Sequence, residues 1–241
     1  MNDDRNPLAG HPIVSRQEWL TARVALLAKE KDLTKRRDDL ARERRALPWV
    51  RVDKAYTFDG PAGKQTLPQL FGARTQLVVY HFMFAPDWEA GCKHCSFWAD
   101  NFDRNVVHLA HRDVRMVAVS RAPLANIEPF RQRMGWTFPW FSSSGSDFNH
   151  DFGVAFTPDE VRSGTAIYNY TKPETMADRE GVSVFYKDGR GGVFHTYSAY
   201  ARGIDVLNAA YSYLDLVPKG RDEDHLEFVQ SWVRHHDRYE D

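Results

Sequence analysis

Cysteine is scarce in this chain, with only Cys92 and Cys95 among 241 residues. That excludes a disulfide-rich scaffold and leaves no second cysteine pair to complete a four-thiolate zinc site. Net charge is nearly absent at −1, which argues against bulk nucleic-acid binding. No apolar run approaches the length of a membrane span, and residues 1–12 lack the hydrophobic core of a secretion signal. A cytoplasmic setting is the expectation, and a reducing compartment keeps thiols free unless they are catalytic. Internal repeats and low-complexity tracts are missing as well.

What is present suits one large domain with extensions. The hydrophobic set makes up 42% and aromatics 13%, so a core can form without a staple. We read residues 1–49 as a tail plus a long amphipathic helix, 50–217 as the main domain with an insertion around 157–178, and 218–241 as a charged extension with a helix over Asp222–His235. Ser15 and Glu18 have capping-box spacing, Val14 and Trp19 have staple spacing, and Pro48 ends the helix after Leu47. Trp19, Leu26, Leu33, Leu40 and Leu47 recur every seven residues on an otherwise charged helix. Such a stripe lies over the domain or pairs with another subunit, so a homo-oligomer, a homodimer in its simplest form, through residues 15–47 is expected. Acids interleave with its basic residues, which argues against DNA as the partner.

Leu77–Phe84 is a near-continuous apolar run, best read as a buried central strand. Cys92 then opens a helix running to about His111, and Val114–Ser120 is a second buried strand. Val182–Tyr186 and Gly192–Ser198, joined through Lys187-Asp188-Gly189, form a β-hairpin. Helices between the first strands imply parallel pairing, and the late hairpin implies an antiparallel edge. The fold class is therefore α/β, a mixed sheet flanked by helices.

The stretch Ala90–Asp100 carries both cysteines. As zinc ligands they would need partners from His81, His94, His108, His111, His150 or His195, which show no standard zinc spacing. As inert thiols they would simply fill core. As a redox pair they fit their place: the first sulfur sits at a helix N-terminus, where unpaired N–H groups favour the thiolate, and the second lies one turn on, in reach of a mixed disulfide. Cys92 is then the nucleophile and Cys95 the resolving thiol. Trp88, Lys93 and His94 are candidates for lining the pocket or tuning the thiolate. So are His195 and Tyr197, which strand alternation puts on one face.

The run Tyr80–Phe84, Trp88, Gly91-Cys92-x-x-Cys95-Ser96-Phe97-Trp98-Ala99-Asp100, Val182–Phe185 and Phe194–Gly203 resembles the bacterial DUF899 proteins, thioredoxin-like proteins of undefined activity. The resemblance implies a thioredoxin-like sheet and, on its broader superfamily, thiol–disulfide exchange through the Cys-x-x-Cys pair. The partners it implies are a protein or small-molecule disulfide, or a peroxide, with a thiol electron donor; no nucleic acid, membrane, cofactor or metal is expected. Two departures stand out. No proline occupies Gly181 or Val182, where thioredoxins carry one facing the pair. Phe84–Cys92 is similar to the peroxiredoxin loop before the peroxidatic cysteine, but Glu89 stands where that family has threonine, and Arg121 or Arg202 would have to supply its arginine. Peroxidase activity and a non-catalytic ligand- or metal-binding domain remain the alternatives.

Overall fold

The computed structural model describes residues 10–240; the start of the expected N-terminal tail lies outside them. In chain order the elements are α1 (Arg16–Ala46), β1 (Val50–Arg51), β2 (Thr57–Gly60), β3 (Gly63–Thr66), α2 (Leu67–Leu70), β4 (Gln76–His81), α3 (Lys93–Phe102), α4 (Val106–Ala110), β5 (Val114–Ser120), α5 (Leu124–Arg133) and β6 (Trp140–Ser142). There follow α6 (Phe148–Asp151), α7 (Pro158–Ser163), β7 (Ile167–Tyr168), β8 (Lys172–Pro173), β9 (Gly181–Lys187), β10 (Val193–Tyr200) and α8 (Ala209–Leu214). Among the described residues no helix is long and apolar enough to cross a membrane.

The main sheet has eight strands in the order β1-β10-β9-β4-β5-β6-β2-β3. β4, β5 and β6 run parallel, while β9 pairs antiparallel with β4 and β10 antiparallel with β9. β4 is central because its apolar run can be buried on both faces. Tyr80, and Phe82 just beyond it, pack on one face with Trp98, Ala99 and Phe102 of α3 and with Ile127 and Phe130 of α5. Leu77 and Val79 face the other way, against Phe58, Leu67, Leu70, Phe148 and Phe185. The alternation of one strand thus divides the core into two layers.

Three expectations change in detail. The cysteine helix does not run unbroken to His111: it stops at Phe102, makes a 3-10 turn over Asp103–Asn105 and resumes as α4. The interruption falls at buried Asp103, whose Oδ1 accepts the backbone N–H groups of Thr137 and Phe138 at 2.6 and 3.1 Å and the Thr137 hydroxyl at 3.0 Å. The helix expected over 222–235 does not form; the extension is irregular apart from a 3-10 turn at His236–Arg238. Asp222 and Gln230 have φ of 51° and 69°, a left-handed backbone that breaks a helix. Finally, the late hairpin is not quite the sheet edge, because β1 pairs with Phe194 and His195 of β10.

α1 forms as its start signal predicts. Ser15 caps it and Glu18 completes the capping box. None of its residues is buried, and Trp19, Leu26, Leu33, Leu40 and Leu47 are each 45–50% exposed.

Candidate active site

The site is built at the C-terminal end of β4. Met83, just past the strand, has its carbonyl 3.0 Å from the Cys92 backbone N–H and its own N–H 3.4 Å from Cys95 Sγ. Between them the chain turns through Ala85–Ala90, with the Trp88 N–H on the Ala85 carbonyl at 3.2 Å. Gly91 is needed for close approach: a Cβ there would meet Phe82 Cε1 at 2.7 Å and Phe130 Cε1 at 2.8 Å. Cys92 is the N-cap of α3. Its carbonyl accepts both the backbone N–H and the hydroxyl of Ser96 at 2.9 Å.

Both cysteines are free thiols, Cys92 half-buried and Cys95 buried. Their acidities are driven apart. The neighbouring Cys95 thiol is the main influence that holds the Cys92 thiol well below the ordinary range; burial opposes it, and His94 and the Cys95 backbone act in the lowering direction. Burial pushes the Cys95 thiol well above the ordinary range, and the neighbouring Cys92 and Glu180 add to this. The cap position supplies unpaired N–H groups that stabilise negative charge on the first sulfur. The arrangement therefore favours a thiolate at Cys92 beside a proton-bearing Cys95. Buried Tyr80 braces the second cysteine, its hydroxyl donating to the Cys95 carbonyl at 3.4 Å.

Of the residues singled out from sequence, Trp88, Lys93 and His94 lie by the pair. Trp88 and Phe130 form apolar walls of a cleft of about 550 Å³ between the Pro86–Glu89 loop and α5, with Glu89 and Arg133 as polar walls. Lys93 is the first residue of α3. The His94 ring is 5.5 Å from that of Phe228, and its Nε2 is buried without a protein partner.

His195 and Tyr197 do not share the expected face. A bulge at Thr196 places His195 opposite Phe185 and Tyr197 opposite Val184, adjacent residues of β9 that point to opposite sides. His195 belongs to the layer away from the cysteines, edge-on to Phe152 and tilted against Phe185. It ends a buried polar chain: His195 Nε2 to Ser198 Oγ at 2.7 Å, Ser198 to Ser183 at 2.9 Å, and Ser183 to His81 Nε2 at 2.9 Å. This pairs Nε2 of the central-strand histidine, while His81 Nδ1 is buried without a protein partner. Tyr197 lies under the Arg44 guanidinium, 5.6 Å from it, beside a separate cleft of about 560 Å³ over β10.

The two arginines considered for a peroxidase-type site are engaged elsewhere. Arg121 makes a two-pronged pair with buried Asp178 at 2.7 and 2.5 Å, and the exposed Arg202 bonds Asp205 at 3.2 Å. Among the described residues no group of three or more His, Cys, Asp or Glu side chains is placed to hold a metal ion. Sequence reasoning missed Met83, Glu180 and the contribution of the C-terminal extension. Phe228 and Trp232, aromatic residues in an otherwise charged tail, were the available signal.

A sheet segment ordered β6-β5-β4-β9-β10, with a two-cysteine helix directly after its central strand, makes this a thioredoxin-like α/β protein. The chain belongs to a family described as a bacterial protein of unknown function (DUF899), whose model matches residues 8–239. No curated protein matches it. Among solved structures it is similar to peroxidoxin BcpB from Mycobacterium tuberculosis, at 15% identity over 67% of this chain and 93% of that one, TM-score 0.45. It is also similar to a mutant of Xanthomonas campestris peroxiredoxin Q, at 15% identity over 65% and 90% of the two chains, TM-score 0.43. A yeast mitochondrial 1-Cys peroxiredoxin matches at 14% identity over 70% and 78%, TM-score 0.43. Likeness this distant says nothing of activity.

Proposed function

We propose that the protein is a thiol–disulfide oxidoreductase in which Cys92 and Cys95 are the reacting pair. The observation that carries this is the placement of the pair directly after the central strand, Cys92 half-buried at the cap of α3 and Cys95 buried one turn on, an arrangement that favours the thiolate at the first sulfur and the thiol at the second. The Cys92 thiolate attacks one sulfur of a substrate disulfide, forming a mixed disulfide and expelling the other sulfur as a thiolate that takes up a proton. Cys95 then loses its proton and attacks Cys92 Sγ; the second substrate thiol leaves. Two electrons pass to the substrate, and Cys92–Cys95 becomes a disulfide that an external thiol donor must reduce. His94, Lys93 and Trp88 are proposed to tune and flank the thiolate.

A Cys95→Ser variant cannot complete the second step and should accumulate mixed disulfides through Cys92, detected by mass spectrometry. If it captures nothing while the wild-type pair also resists oxidation, the proposal fails. The lowered Cys92 would also serve peroxide reduction, with Cys95 resolving the sulfenic acid. Stopped-flow oxidation separates the two chemistries: a rate matching that of a free thiol at equal thiolate fraction removes the peroxidase reading.

The same proposal gives α1 a second copy of the chain as partner. A 31-residue helix with no buried residue and a seven-residue apolar period has its stripe free for a like helix.

A further inference from the structure

The C-terminal extension has almost no regular structure, so side-chain anchors must set its course, and those anchors converge on the cysteine helix. Glu223 is buried, and its Oε1 accepts the Tyr211 hydroxyl at 3.0 Å, the Gln230 backbone N–H at 3.2 Å and Trp232 Nε1–H at 2.6 Å. Trp232 in turn sets its ring 5.5 Å from that of Phe97 in α3, and Val233 is fully buried. Phe228 lies against His94. The Gly91 carbonyl accepts from His235 Nε2 at 2.9 Å. His236 Nδ1 donates to Asp100 at 2.7 Å, and Asp237 accepts two hydrogen bonds from Arg133 at 2.8 Å each. Gly91 on one side of Cys92 and His94 on the other are therefore both occupied by the chain's own extension.

This segment also borders the cleft beside Trp88. The His235 ring is 5.2 Å from that of Phe130, and Asp237 holds Arg133; both partners are cleft walls. The strap thus leaves open a cleft of about 550 Å³, a size that suits a small molecule.

We propose that residues 223–239 form a strap that restricts the site to low-molecular-weight disulfides and keeps folded protein disulfides out. The proposal rests on the thiol–disulfide reading of Cys92 and Cys95. A folded protein has to bring its disulfide down to Cys92 together with its surrounding bulk, and the extension fills both flanks of that cysteine. A small disulfide needs only to bring one sulfur to the half-buried Cys92, its substituents lying toward the neighbouring Trp88 cleft, whose walls stop short of the cysteines. The electron balance is that of the exchange given above: two thiolates are released as the Cys92–Cys95 bond forms.

The strap is tested on the full reduced chain by labelling Cys92 with N-ethylmaleimide and with a polyethylene-glycol maleimide of protein size, located by mass spectrometry. The rate ratio of small to large reagent should exceed that for a free-cysteine peptide by about tenfold or more, and loosening the strap with His235→Ala plus Asp237→Ala should return it toward the peptide value. Phe228→Ala is a second, independent loosening, and circular dichroism checks that each variant folds. A wild-type ratio equal to the peptide's overturns the proposal. In a second arm, bis(2-hydroxyethyl) disulfide should oxidise the pair about tenfold faster than insulin does, a gap that narrows in the loosened variants. Equal wild-type rates with both disulfides overturn the substrate class. If neither disulfide reacts while N-ethylmaleimide does, the exchange chemistry itself is wrong, and the maleimide ratio still decides whether the strap covers Cys92.

Discussion

The Met83 carbonyl accepts the Cys92 backbone N–H at 3.0 Å, tying the end of the central strand to the cap of the cysteine helix. Because Met83 also donates toward Cys95 Sγ, both cysteines are tied to one residue just past β4.

Cys92 should titrate below the ordinary cysteine value of about 8.5, and Cys95 above it. Iodoacetamide labelling against pH, read by mass spectrometry, should show Cys92 reacting first and Cys95 protected in the folded chain. Cys95→Ala removes the largest cause of the lowered value and should raise the Cys92 midpoint; His94→Ala should move it the same way by less. The signs for stability are opposed. The lowered Cys92 contributes stability that is full above its unfolded pKa and is lost as pH falls through the folded one. The raised Cys95 contributes stability present below its unfolded pKa and lost as pH rises.

Gly91→Ala should disturb structure and site together. The added methyl would fall 2.7 Å from Phe82 and 2.8 Å from Phe130, two buried rings with little room to give. Overpacking of this kind costs about 1–3 kcal/mol. Urea denaturation should show that loss, and Cys92 alkylation should slow as the adjoining backbone shifts.

Acid should destabilise the fold through His81. Burial is the main cause, with His195 a lesser one, that pushes the His81 imidazolium from 6.5 down to about 3. The unfolded chain binds the extra proton below 6.5, so stability falls as pH drops through that window toward 3. The slope from this one group approaches about 1.4 kcal/mol per pH unit. A His81→Gln variant, compared with wild type in urea melts at several pH values, should lack that part of the slope.

Leu26→Lys combined with Leu33→Lys places charge on the exposed stripe of α1 without touching the core. Light scattering should report a lower mass than for wild type, with the melting temperature of the main domain little changed. An unchanged mass would leave α1 as a helix of the monomer alone.

Much of the architecture was legible because local signals and burial agree. The apolar run 77–84 gave the central strand, and Ser15 with Glu18 marked the start of α1. The cysteine pair was legible as a site because strand, turn and helix follow in unbroken order. The partnership expected between His195 and Tyr197 was not readable: the extra residue at Thr196 shifts the register, and no local signal marks that bulge. The extension was misread as a helix because its charged sequence hides a tertiary determinant. Glu223 takes three donors only when Tyr211, from an earlier helix, is already in place.

The anchoring of the cysteine helix by the extension bears on how the molecule is made. A ribosome releases α3 and its supporting strands long before residues 223–239 emerge, and domains tend to fold as their segments appear. Cys92 therefore passes through a period in which its neighbours are assembled but Phe228, Trp232 and His235 have yet to arrive. The nascent chain should be open to large oxidants and bulky thiol reagents that the finished protein resists, so sensitivity to them marks the age of the molecule.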